Sequence, residues 1–124
     1  MAKIGKEKPR MKATPVKVMG IEIKNVPAKA GTKMLEAKDK IVLLCAHKDS
    51  KDFIELSKVK YENNGKMQQS ALWLTMDDEG NISSNSALAY FLRYYGLNST
   101  EQIVGTEIQT TQDTESGFLI VKAY

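Results

Sequence analysis

The chain has 124 residues, of which 42% are hydrophobic, enough for one modest core and too little for two packed domains. Its formal net charge of +3 is uneven: residues 1–40 hold eleven Lys/Arg against four Asp/Glu, and residues 41–124 hold seven against eleven. A single cysteine excludes an internal disulfide and a single histidine excludes a His/Cys zinc set, while the longest apolar run, Ile41 to Ala46, falls far short of the ~20 residues of a membrane helix.

Residues 1–13 are charged, contain Gly5 and Pro9, and show no apolar period, so they predict a mobile basic arm ahead of a single domain over 14–124. Lysines and arginine of this arm, Arg10 and Lys12 among them, suit a polyanion, because each cation that meets a phosphate releases condensed counterions. A solvated tail is the alternative. No apolar stretch follows the N-terminal charges, so no secretory signal is read there, and cytoplasmic residence is expected.

Val16-Lys17-Val18 alternates, Met19-Gly20 breaks the phase, and Ile21-Glu22-Ile23 resumes it, which predicts a strand with a bulge at Gly20. Asn25 to Lys40, with Pro27 and Gly31 among lysines and alanines, reads as a connection holding at most a brief strand or helical turn near Met34-Leu35. Ile41 to Ala46 fits a strand covered on both faces or a short buried helix, and within it Cys45 reads as a small hydrophobe. A polar turn follows at Asp49–Asp52.

Phe53–Tyr61 and Met67–Met76 flank Asn64-Gly65, a strong hairpin signal. A two-residue turn there pairs Asn63 with Lys66, Lys60 with Gln69, Lys58 with Ala71 and Leu56 with Trp73. Val59, Tyr61, Ser70, Leu72, Leu74 and Met76 then form the apolar side, and Trp73 shares the wetter side with Lys58, Lys60 and Gln69. An aromatic ring beside lysines is a stacking platform for a nucleic-acid base. The competing reading has the arm or the 25–40 connection covering Trp73 as a second small core.

Asp77-Asp78-Glu79-Gly80-Asn81 reads as a polar turn without the length or spacing of a calcium loop. Ser83 to Ser86 offers N-caps for a helix from about Asn85 to Tyr95, in which Leu88, Phe91, Leu92 and Tyr95 make one stripe and Gly96 closes the end. Tyr90 and Tyr94 fall off that stripe, either flanking the core or forming a contact surface. Ser99 to Gln102 has capping-box spacing, and Thr106–Gln112 with Phe118–Ala123 predicts a second hairpin. No Gly-x-Ser-x-Gly elbow or Gly-x-x-x-x-Gly-Lys loop occurs, so no enzyme, cofactor or metal is expected.

This order of elements, with Leu92-Arg93-Tyr94-Tyr95-Gly96-Leu97 leading to Ile103-Val104-Gly105, is similar over residues 40–124 to OB-fold single-stranded-nucleic-acid-binding proteins. The resemblance implies a mainly β fold with one helix: an OB-like five-stranded β-barrel with the helix between strands 3 and 4. It also implies a groove over strands 2 and 3 that binds single-stranded DNA or RNA. Lys58, Lys60, Gln69, Trp73, Lys66, Lys12 and Arg10 are the candidate contacts. The alternative is a protein partner docking on a strand edge or on the Tyr90/Tyr94 helix face.

Overall fold

A computed structural model of the chain describes residues 12–30, 33–113 and 115–124. Arg10 and the arm as far as residue 11 lie outside the described residues. At its start, Lys12 is exposed, and its carbonyl is held 2.9 Å from His47 Nε2.

The two alternating segments join in β1 (Val16–Ala30), which pairs antiparallel with β2 (Lys33–Ala46) from Lys17↔Ala46 to Ala30↔Lys33. Val18 opposes Cys45 and Gly20 opposes Leu44, so the extra residue of the bulge is Met19, one before the expected Gly20. Its effect is to swap the phase, turning Val18 and then Ile21 toward the core. The connection expected over 25–40 is instead the continuation of both strands. Pro27, which has no N–H to give, sits at a second register shift between Val26 and Ala28, the place where a ladder tolerates it.

Phe53–Tyr61 is not one strand. β3 (Ile54–Leu56) pairs with β2, and β4 (Lys58–Asn63) pairs with β5 (Lys66–Ala71), the two being parted by Ser57, whose carbonyl accepts the Leu72 N–H at 2.8 Å. Between β4 and β5, Asn64 (φ 52°) and Gly65 (φ 78°) adopt the two left-handed conformations that a type I′ turn demands. The resulting register, Lys58↔Ala71 through Asn63↔Lys66, is the expected one. The Leu56–Trp73 pair does not form: Leu56 opposes Leu43, and β5 ends at Ala71 rather than Met76.

The helix, α1 (Ala87–Tyr94), is slightly shorter than its apolar stripe predicts. Ser86 caps it by accepting the Ala89 N–H at 3.2 Å, and Gly96 (φ 69°) turns the chain so that Leu97 N–H reaches Leu92 O at 2.8 Å. A 3-10 turn over Thr100–Gln102 follows. The Ser99 hydroxyl does not cap it; Gln102 Oε1 reaches back to the Asn98 N–H at 2.7 Å instead. The second hairpin forms as expected from β6 (Glu107–Gln112) and β7 (Leu119–Ala123).

The seven strands make one sheet in the order β3-β2-β1-β6-β7-β4-β5, all neighbours antiparallel except β4 and β7. Among the described residues the fold is mainly β with a single α-helix, with seven strands where five are expected; β3 and β5 stand at the ends of the order. Leu88 and Phe91 of α1 pack with Val18, Ile41, Leu43, Val59, Ile108 and Val121 of the sheet, and with Leu72 just past β5, in one fully buried cluster. Removing a large ring from such a position costs about 3–5 kcal/mol. No described helix is long and apolar enough to cross a membrane.

Candidate nucleic-acid interface

Alternation along β4 and β5 sorts their side chains. Val59 and Tyr61 enter the core cluster, so Lys58 and Lys60 project from the opposite side, together with Gln69, which is paired to Lys60. β7 extends this row. Lys122, between the buried Val121 and Ala123, stands in register with Lys60 on one side and with Gln109 of β6 on the other. Four strands thus present Gln69, Lys60, Lys122 and Gln109 abreast.

Trp73 is held by a different strand from the one expected. Leu72 is fully buried and Leu74 packs against the core, whereas Trp73 between them is partly buried and does not belong to the core cluster. Past Ala71 the chain bends, with tight Trp73 N–H to Ala71 O and Thr75 N–H to Trp73 O bonds, both 3.0 Å. It then docks on β2 through Ile41 N–H to Leu72 O at 2.8 Å and Leu74 N–H to Asp39 O at 2.9 Å. The bridge so formed sets Trp73 directly opposite Lys40, and Lys40 in turn opposes Lys24 of β1. A tryptophan and two lysines therefore stand in one row across three segments. Met76, expected on the apolar side, is 50% exposed, because the bend ends the alternation that would have buried it.

Carboxylates temper these cations. Lys24 Nζ lies 3.6 Å from Glu55 and 4.0 Å from Glu22. Asp113, at the second hairpin turn, receives Gln69 Nε2 at 3.2 Å, and Lys58 contributes to its field. Its carboxyl is held below the usual range chiefly by the Glu115 N–H, against the opposing pull of desolvation, with Ser116, Gln69 and Lys58 adding to the effect. A shallow groove runs between Glu55, Lys58 and Asp113, and Phe118, 73% exposed, lines it.

The remaining expected contacts are dispersed. Lys66 stands at the hairpin end opposite Asn63, and Lys12 lies beside His47, at the loop after β2. His47 is itself buried, taking the Asp49 N–H on Nδ1 at 3.0 Å and facing Thr14 Oγ1 at 3.3 Å with Nε2. Cys45 is fully buried, and desolvation pushes its thiol up to about 12. In the acidic turn Asp77 Oδ1 accepts the N–H groups of Glu79 and Asn81, each at 2.9 Å, which is the work of a turn residue. Among the described residues no group of three His, Cys, Asp or Glu is placed to hold a metal.

Tyr90 and Tyr94 do different things. Tyr90 stacks on Tyr61 with centroids 4.8 Å apart, bonds Asn63 Oδ1 through its hydroxyl at 2.9 Å, and carries the Arg93 guanidinium 4.8 Å above its ring. Tyr94 is 49% exposed, its hydroxyl bonded to the Tyr124 carbonyl at 2.9 Å.

Lys24, Lys40, Lys122 and Phe118 are the neighbours that the sequence reading missed. The excess of lysine over residues 1–40 pointed toward the first two, while nothing local announces the parallel β4–β7 pairing that brings up Lys122. No family model, curated protein or solved structure matches the chain.

Proposed function

We propose that this chain is an OB-like β-barrel that binds single-stranded nucleic acid without catalysis, stacking a base on Trp73 and meeting phosphates with Lys24, Lys40, Lys58 and Lys60. The observation that carries the reading is the Lys24–Lys40–Trp73 row on the side away from the core. Bases offer a π face whatever their identity, and aromatic stacking contributes about 1–3 kcal/mol per base, so such a row binds with little sequence preference.

The barrel part of the reading rests on the chain of pairings. β1 pairs with both β2 and β6, β6 with β7, β7 with β4, and β2 with β3, which only Ser57 separates from β4. Taking β3 and β4 as one bent strand leaves five strands in a ring, with α1 after the third. β5 is then an added arm.

Trp73 is the sole tryptophan, so its fluorescence reports on this site alone. Titration with oligo-dT and oligo-U at two salt concentrations is expected to quench it, with affinity falling as salt rises. Absence of quenching and of salt-dependent binding at micromolar protein overturns the reading. Capture of a protein partner by the full chain under the same conditions would favour the free edge of β5 as the working surface instead.

A further inference from the structure

From the single-strand reading above, on which this step rests, we infer that the bound strand continues past the lysine row to a second stacking platform formed by Tyr124 and Tyr94. Lys122 supplies the link. It stands in register with Lys60, and its ammonium lies 4.9 Å over the ring of Tyr124. One cation is thus placed between the phosphate-binding row and an aromatic ring just past the end of β7.

The ring is available. Tyr124 is 36% exposed and Tyr94 49% exposed, and the Tyr94 hydroxyl bonds the Tyr124 carbonyl at 2.9 Å, which fixes the two residues together. They border an open cleft with Tyr90, Arg93 and Glu62. Tyr90 is already sandwiched between Tyr61 and the Arg93 guanidinium and serves as a wall, leaving Tyr94 and Tyr124 to receive a base.

The spacing is workable. β4 and β7 run parallel, so the step from the level of Lys58 to that of Tyr124 is four residues of strand, roughly 13 Å. Trp73 follows Ala71, the partner of Lys58, by two residues, across the bend that docks it on β2 opposite Lys40. Two aromatic stations with lysines between them follow the design of a sequence-tolerant single-strand track, in which backbone cations alternate with stacking rings.

A length series separates this platform from the first one. Oligo-dT and oligo-U of about 5 and about 15 nucleotides, spanning the low and high ends of single-domain site sizes, are titrated while Trp73 fluorescence and total binding are followed. Tyr124→Ala is expected to weaken the longer oligomer about tenfold and leave the shorter one, bound at Trp73, unchanged; Tyr124→Phe, which keeps a ring and adds no second indole, restores the longer one. Equal binding by wild type and Tyr124→Ala at both lengths overturns this inference alone, as does an equal loss at both. Failure of the wild type to bind any oligomer overturns it together with the single-strand reading.

Discussion

The hydroxyl of Tyr95 is inserted into the β6–β7 ladder: it donates to the Lys122 carbonyl at 2.5 Å and accepts the Gln109 N–H at 2.8 Å, although Lys122 and Gln109 are themselves cross-strand partners. The side chain of the residue that closes α1 thus completes the hydrogen bonding of the strand pair that carries Lys122. Tyr95 stands T-shaped to Tyr94 with centroids 4.9 Å apart and tilts against Phe91 at 5.4 Å, so the end of α1 and the lysine row are positioned by one ring.

Tyr95→Phe is expected to lower stability by about 1–3 kcal/mol in urea unfolding, because it leaves a strand N–H and carbonyl without their partner. Burial raises the Tyr95 hydroxyl to about 12 from 10.0. A folded-state value above the unfolded one gives stability that is complete below pH 10 and is lost as pH rises through about 12. The Phe variant is expected to show a shallower alkaline loss than the wild type over that window.

Asp113 has the opposite sign. Its lowered folded-state value contributes stability above the unfolded carboxylate range, near pH ~4, that is lost as pH falls toward the folded value. Asp113→Asn is therefore expected to lower the Tm at neutral pH and to flatten its decline in acid. Removing the carboxylate beside Lys58 is also expected to tighten oligo-dT binding, read from the same titrations at low salt.

Lys40→Gln and Lys24→Gln each remove one phosphate partner from the Trp73 row. Each is expected to reduce the slope of log affinity against log salt by about 0.7, the single-strand value per contact. A slope unchanged in both variants places the phosphates elsewhere.

Gly65→Ala tests the turn that sets the register of β4 and β5. A methyl group there meets nothing within 4 Å, so the cost is conformational alone, about 1–2 kcal/mol for an L residue at φ 78°. Chemical denaturation measures it, and a loss under ~0.3 kcal/mol means the hairpin re-forms with another turn.

The parts that the sequence made readable are those built from neighbours in the chain. Asn64-Gly65 specifies its own turn and six cross-strand pairs, and the Leu88/Phe91/Leu92 stripe specifies which side of α1 is buried. The long β1–β2 ladder was hidden because Lys, Ala and Pro carry little strand signal, and its outer half has few further ladder partners to demand an apolar pattern. Trp73 shows the limit: its partner, Lys40, lies 33 residues earlier in sequence and is reached only through the bend after Ala71. The lysine row across β4 and β7 depends in the same way on a parallel pairing that no turn encodes.

The buried Cys45 gives the chain a built-in gauge of its own opening. Only the thiolate is nucleophilic, and a lone thiol with no exposed surface and a value near 12 offers almost none at neutral pH while β1 and β2 remain joined over it. Maleimide then reacts only in the molecules in which that pair of strands has parted, so with reclosing faster than labelling the half-time reads the local opening equilibrium, and a ligand held across Lys24 and Lys40 lengthens it.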